Sequence, residues 1–148
     1  MEKDVIISIK GVQRYENADP DTMELVTAGR LEREGNSYTL SYQESELTGL
    51  EGTLTTFQIE PERITLMRVG EFNSQMVFQE GRRHMSMYNT PYGAMTIGVN
   101  TRYLLAELDD QGGEIEIDYA IEIDHSVAGR NTFQINVKEA EGAAGLQI

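Results

Sequence analysis

The chain has 148 residues, of which 39% are hydrophobic, and its 25 acidic against 12 basic side chains give a formal net charge of −13. The length suits one domain with a real core, while the negative charge disfavours nucleic acids and anionic membrane surfaces as partners. The absence of cysteine excludes disulfides, thiolate nucleophiles and thiolate metal sites.

The N-terminal segment, residues 1–11, lacks the apolar stretch and small-residue cleavage site of a secretory signal. No segment of the sequence approaches the roughly 18 apolar residues of a membrane-spanning helix. We therefore expect a cytoplasmic protein without membrane insertion.

Apolar and polar residues alternate with a period of two along most of the chain, which is the pattern of a β-strand with one apolar face. The clearest case is the segment GGEIEIDYAIEID at residues 112–124, where apolar residues occupy one parity and acidic residues most of the other. In chain order, the same pattern occurs around residues 5–9, 23–31, 38–42, 72–78, 95–105, 115–123 and 133–137.

Clusters of Gly, Pro, Asn and Asp separate these runs and supply the backbone angles of tight turns. Their spacing predicts about ten strands, and the short connections favour antiparallel neighbours. Only residues 47–52 and 124–129 form longer connections, and residues 46–54 fit a connection better than a helix. An all-β, up-and-down barrel follows from this pattern, because closure removes exposed sheet edges; a Greek-key sandwich is the alternative.

Two segments, residues 42–59 with the element TGLEGT and residues 66–95 with YNTPYG, resemble the YwiB family of uncharacterised Firmicutes proteins. The resemblance extends from Val5 to Lys138. It implies a lipocalin-like, calycin-type closed barrel of about ten antiparallel strands, similar to fatty-acid-binding proteins, and it implies no activity. We expect a single barrel domain over residues 1–140 and a flexible tail over residues 141–148.

Charged side chains on the apolar parity are the first candidates for a site inside such a barrel. Glu44 continues the parity of Tyr38 and Tyr42, and Arg68 continues that of Leu66. Inside the barrel, Arg68 could pair with Glu44 or receive a ligand carboxylate. At the strand ends, both side chains would instead lie at the rim in water.

Methionine and tyrosine residues are the second group of candidates. Met85 and Met87 share one face of a predicted strand and, together with Met76, could line an adaptable apolar cavity or simply fill the core. Tyr103 has the parity of the apolar residues before it and is predicted to point inward. Arg102 then points to the opposite face, so the two cannot clamp one ligand head group.

Metal and catalytic chemistry have little support in the sequence. His84 is predicted to be a half-exposed strand residue and His125 a turn residue. Asp109, Asp110 and Glu114 surround a Gly-Gly turn without the spacing of a calcium loop. Since nucleotide-binding and hydrolase motifs are also absent, we expect no metal, no cofactor and no enzymatic activity.

The leading hypothesis is therefore a barrel that binds a small hydrophobic or lipid-like ligand in its interior or at its mouth. The alternative is a structural or protein-interaction barrel with a filled core, which could form a homodimer through outward Ile6, Val26 and Leu104. The predicted ligand-binding residues are Tyr38, Tyr42, Glu44, Arg68, Met76, Met85, Met87 and Tyr103.

Overall fold

The structure is a computed structural model that describes residues 2–15, 19–46, 50–70, 73–90, 93–123 and 126–140, with the backbone alone at residues 87–90 and 94. Ten β-strands account for most of these residues, as the alternating sequence pattern predicts. The strands are β1 (Glu2–Arg14), β2 (Asp21–Glu34), β3 (Ser37–Gln43), β4 (Thr53–Glu60), β5 (Arg63–Gly70), β6 (Ser74–Phe78), β7 (Arg83–Thr90), β8 (Gly93–Asp109), β9 (Gly112–Ile123) and β10 (Ser126–Glu139).

Each strand pairs with the next one along the chain in an antiparallel arrangement, and β10 pairs with β1 to close the sheet into a barrel. Short connections permit this order because antiparallel neighbours need only a turn between them. The predicted closed up-and-down barrel of ten strands is confirmed. No helix in the described part of the chain is long and apolar enough to cross a membrane.

The barrel has two ends of different character. We call the end at which β1, β3, β5, β7 and β9 finish the open end, and the end at which these strands begin the closed end. Apolar side chains with no exposed surface fill the interior towards the closed end: Val5, Leu31, Ile64, Phe78 and Ile115. Each such buried side chain contributes roughly 1.5–3 kcal/mol of hydrophobic stabilisation, so these side chains form a packed core.

A β-bulge in β8 changes which of its residues face the core. The register between β8 and β9 shifts between Thr101 and Tyr103, so that Tyr103 lies opposite Asp118 and Leu104 lies opposite Ile117. Tyr103 is 43% exposed, whereas Leu104 packs against the core. The inward prediction for Tyr103 and the outward prediction for Leu104 are therefore wrong, because one extra residue in a strand inverts the parity of everything that follows.

The turn between β6 and β7 holds this bulge in place. The Thr101 amide donates to the Arg82 carbonyl at 3.1 Å, and the Gly81 amide donates to the Thr101 carbonyl at 2.9 Å. The Leu104 amide donates to Oε1 of Glu80 at 3.1 Å. Backbone groups that lack a ladder partner at the bulge are thus satisfied by the turn.

Candidate functional site

A pocket of about 320 Å³ opens at the open end of the barrel. Strands β1, β2, β3, β5, β9 and β10 contribute its lining, together with Leu50 from the connection between β3 and β4. Its wall includes the apolar side chains of Met23, Leu50 and Phe133, and its polar side chains include Tyr42, Glu44, Arg68, Tyr119 and Asn131. The longer connection predicted at residues 47–52 contributes Leu50, while residues 47–49 lie outside the described residues.

Strand pairing brings the charged residues of this pocket together. Tyr42 on β3 lies opposite Thr55 on β4, and Thr55 lies opposite Arg68 on β5. Glu44 follows Tyr42 on the same inward parity, just beyond the end of β3. Because side chains of one parity share a face of the sheet, three adjacent strands aim these four side chains at one point inside the open end.

Glu44 is the buried anion of the pocket. Only 1% of its side chain is exposed, and its Oε2 accepts a hydrogen bond of 2.5 Å from the Thr55 hydroxyl. The Tyr42 hydroxyl also hydrogen-bonds to Glu44. The sequence left open whether Glu44 lies inside the barrel or at its rim in water. The position inside the barrel is confirmed for Glu44, and the position at the rim is wrong. Glu46, two residues further along the chain, is exposed.

Arg68 forms an ion pair with Glu44 but no hydrogen bond from its Nε. Its Nε lies 3.9 Å from Glu44 Oε2, and a fifth of its side chain remains exposed. This distance gives an ion pair but exceeds that of a hydrogen bond. Nε is buried and has no hydrogen-bond partner among the described residues. A buried donor without an acceptor costs about 1–3 kcal/mol, so the Arg68 guanidinium in the pocket wall is incompletely satisfied.

Tyr42 is the third member of this cluster, and its phenol is kept protonated. Burial raises the pKa of the Tyr42 phenol above its ordinary value of 10.0, and the nearby Glu44 carboxylate raises that pKa further. The Arg68 guanidinium lowers it, but less than burial raises it. At neutral pH, Tyr42 is therefore a neutral hydrogen-bond donor to the Glu44 carboxylate.

This raised pKa predicts a loss of stability in alkali that depends on Tyr42. Above pH 10 the unfolded chain releases the phenolic proton while the folded protein keeps it, so the free energy of unfolding falls by up to about 1.4 kcal/mol per pH unit. Tyr42→Phe removes this contribution, and urea unfolding at a series of pH values between about 9 and 11 measures the slope. Tyr15→Phe, at a half-exposed tyrosine, keeps the wild-type slope. If the free energy of unfolding falls with pH equally in wild type and Tyr42→Phe, the pKa of Tyr42 is not raised.

A second polar group lies on the other side of the pocket. Asn131 Nδ2 donates to the Tyr119 hydroxyl at 3.2 Å, and both residues are buried. The Tyr119 ring lies between Phe78 and Phe133, with centroid distances of 4.8 and 5.9 Å. Asn131, Tyr119 and Thr55 were not predicted from the sequence as site residues, although polar residues on an inward parity are the signal that could have identified them.

The predicted site residues Tyr38, Met76 and Met85 are not part of the pocket lining. Tyr38 is half-buried and packs against the core towards the closed end, and Met76 is a core residue with 5% exposure. Met85 is 55% exposed while its neighbour Ser86 is buried, so its placement inside the barrel is wrong. The side chain of Met87 lies outside the described residues. The role of each in ligand binding stays a prediction.

Metal ligation has no support among the described residues. His84 is half-buried, and its Nε2 lies 3.1 Å from Oε1 of Gln79. Asp110 forms an ion pair with Arg33 at 3.1 Å, and His125 lies outside the described residues. Within the described ranges, no group of three or more His, Asp or Glu side chains could hold a metal ion.

Comparison with known proteins supports the fold and names the family. No curated protein matches the chain. The crystal structure of the ywiB protein from Bacillus subtilis is similar, with a TM-score of 0.82 and 20% sequence identity over 93% of this chain and 92% of that one. The family described as a domain of unknown function, DUF1934, matches residues 7–135. The predicted resemblance is thus confirmed, and the chain belongs to the DUF1934 family.

Proposed function

We propose that the protein binds a small amphipathic molecule in the pocket at the open end. The apolar body of the ligand packs against Met23, Leu50 and Phe133, and a polar group of the ligand accepts a hydrogen bond from Arg68. The observation that carries the proposal is the buried Arg68 Nε, which has no hydrogen-bond partner among the described residues. A ligand acceptor at this position would remove the cost of that unsatisfied donor.

The size of the pocket favours a compact ligand over a long acyl chain. Its volume of about 320 Å³ lies at the lower end of the range for small-molecule sites. Below it, the side chains of Phe78 and Ile117 are fully buried in the core. We therefore propose that the hydrophobic ligand expected from the sequence is about the size of a bicyclic aromatic ring.

The proposed role is binding without catalysis. The described pocket residues include Glu44 and Tyr42 but no histidine, and Glu44 already accepts hydrogen bonds from the Tyr42 and Thr55 hydroxyls. A nucleophile with an adjacent general base, which most covalent catalysis requires, is not formed by these side chains.

Binding of 2-acetylnaphthalene tests the proposal, because this ketone combines a flat apolar body with one strong acceptor. We expect saturable binding with a Kd on the order of 0.1–1 mM, measured by ligand-observed NMR. Gly11→Leu should abolish binding: a Cβ at Gly11 would lie 3.4 Å from the Phe133 ring and 3.7 Å from Met23 Cε, so a leucine there fills the pocket.

Lys10→Leu is the matched control, because it places the same side chain on the exposed outer face of the same strand. This variant should bind the ketone as the wild type does. Failure of the wild type to bind saturably, or equal binding by Gly11→Leu and Lys10→Leu, would overturn the proposal.

The alternative function is that of a protein-interaction barrel, and the outer face of β2 favours it. Val26 is 71% exposed, and Ser8, its partner on β1, shares that outer face. A homodimer through this face would bury Val26 in each copy. Sedimentation equilibrium of wild type and Val26→Lys tests the homodimer: a wild-type dimer that Val26→Lys dissociates would support this role, and a monomeric wild type would exclude self-association through this face.

A further inference from the structure

We infer that Glu44 sets the charge selectivity of the open-end pocket, so that its ligand carries an uncharged acceptor such as a carbonyl and not a carboxylate. The inference rests on the proposed function and deepens it by naming the class of ligand. It follows from the charges that surround the unsatisfied donor of Arg68.

The positive charge of Arg68 is already compensated. Glu44 Oε2 lies 3.9 Å from Arg68 Nε, and the Glu44 side chain is withdrawn from solvent with 1% exposure. Thr55 and Tyr42 donate hydrogen bonds to the same carboxylate and fix it beside the guanidinium. Asp21 adds a second acidic side chain to the pocket lining. The titratable side chains named here therefore sum to a negative charge, although the pocket contains an arginine.

A ligand carboxylate at Arg68 would have to lie close to Glu44. Two carboxylates within about 5 Å of each other repel by a few kcal/mol at the effective dielectric constant of a partly buried site. A carbonyl oxygen accepts a hydrogen bond from the Arg68 guanidinium without adding charge. The guanidinium supplies the donor, and the neighbouring Glu44 carboxylate restricts the kind of acceptor that can use it.

Tyr42 reinforces this restriction. Its hydroxyl proton is already directed to Glu44, and burial together with Glu44 keeps the pKa of Tyr42 above its ordinary value. The phenol therefore keeps its proton, and because that proton is donated to Glu44 it does not stabilise a second carboxylate. Arg68 is the cation of the described pocket lining, and Glu44 neutralises it.

The test compares two ligands of matched shape, 2-acetylnaphthalene and 2-naphthoate, which is ionised at neutral pH. The wild type should bind the ketone at least about tenfold more tightly than the carboxylate. Glu44→Gln keeps an acceptor oxygen for Thr55 and Tyr42 but removes the charge, so it should bind 2-naphthoate at least about tenfold more tightly than the wild type does.

Glu46→Gln is the matched control, because it changes the net charge of the protein equally but lies two residues away and is exposed. It should keep the wild-type preference. If Glu44→Gln alone binds 2-naphthoate more tightly than the wild type does, the gain cannot come from structural damage, because damage would weaken the binding of both ligands.

Wild-type binding of 2-naphthoate equal to or tighter than that of the ketone would overturn the inference and leave the proposed function intact. So would a Glu44→Gln protein whose affinity for 2-naphthoate is unchanged. Absence of binding by both ligands to the wild type would overturn the proposed function and the inference together. Should Glu44→Gln fail to fold, the wild-type comparison alone decides, with Glu44→Asp expected to keep the preference for the ketone.

Discussion

Replacing Gly113 with alanine is expected to reduce the free energy of unfolding by about 3–5 kcal/mol. Gly113 lies at the start of β9 with φ of +149°, a conformation that residues with a Cβ rarely adopt. A Cβ at this position would lie 1.9 Å from the carbonyl oxygen of Glu107 and 3.0 Å from Cα of Leu108. Both are backbone atoms of β8, so relief of the clash requires breaking the hairpin between β8 and β9.

Gly35→Ala is the matched control for this prediction. Gly35 also has a positive φ, of +61°, but a Cβ there would meet nothing within 4 Å. Its substitution should cost only about 1–2 kcal/mol, the penalty of a left-handed backbone for alanine. Urea unfolding of both variants measures the difference, and equal losses of stability would show that the tight packing at the β8–β9 hairpin is not what constrains Gly113.

Replacing Arg68 with methionine is expected to cost about 2–3 kcal/mol of stability. Methionine keeps most of the length and apolar surface of arginine but leaves the Glu44 carboxylate buried without a counter-charge. Loss of one partner of a buried ion pair commonly costs about 3–5 kcal/mol. We expect less here, because a fifth of the Arg68 side chain is exposed and Glu44 keeps its hydroxyl donors.

A double-mutant cycle separates this cost from simple damage to the strand. In the Glu44→Gln background no buried charge is left behind, so Arg68→Met should cost at least about 1 kcal/mol less than in the wild type. Urea unfolding of the four proteins gives the coupling energy. A coupling energy near zero would mean that the two side chains do not interact across the pocket.

Much of the fold could be predicted from the sequence, because strand periodicity and turn chemistry are local properties. In β9, Ile115, Ile117 and Tyr119 alternate with acidic residues and all three face the core. The order of strands followed from the short connections, and closure by pairing of β1 with β10 followed from the need to protect two edges. The length of each strand and its position along the barrel axis could not be predicted from the sequence.

The site could be predicted only in part, since it depends on relations between distant segments. Tyr38 and Tyr42 share a parity, yet only Tyr42 reaches the pocket, because four residues along a strand span roughly 13 Å. The pairing of Glu44 with Arg68 required the register of β3, β4 and β5. Tyr103 was misplaced because the bulge in β8 depends on contacts with the β6–β7 turn, which no local pattern reveals.

The NMR signal of the Arg68 Nε–Hε group during titration with 2-acetylnaphthalene tests most directly whether Arg68 binds the ligand. Arg68→Lys identifies the signal by its disappearance. Binding through this donor predicts a saturable shift of the Arg68 Hε resonance, while the amides of Ile64 and Ile115 in the core towards the closed end stay unchanged. A ligand that saturates the protein without moving the Arg68 Hε signal would contradict the account.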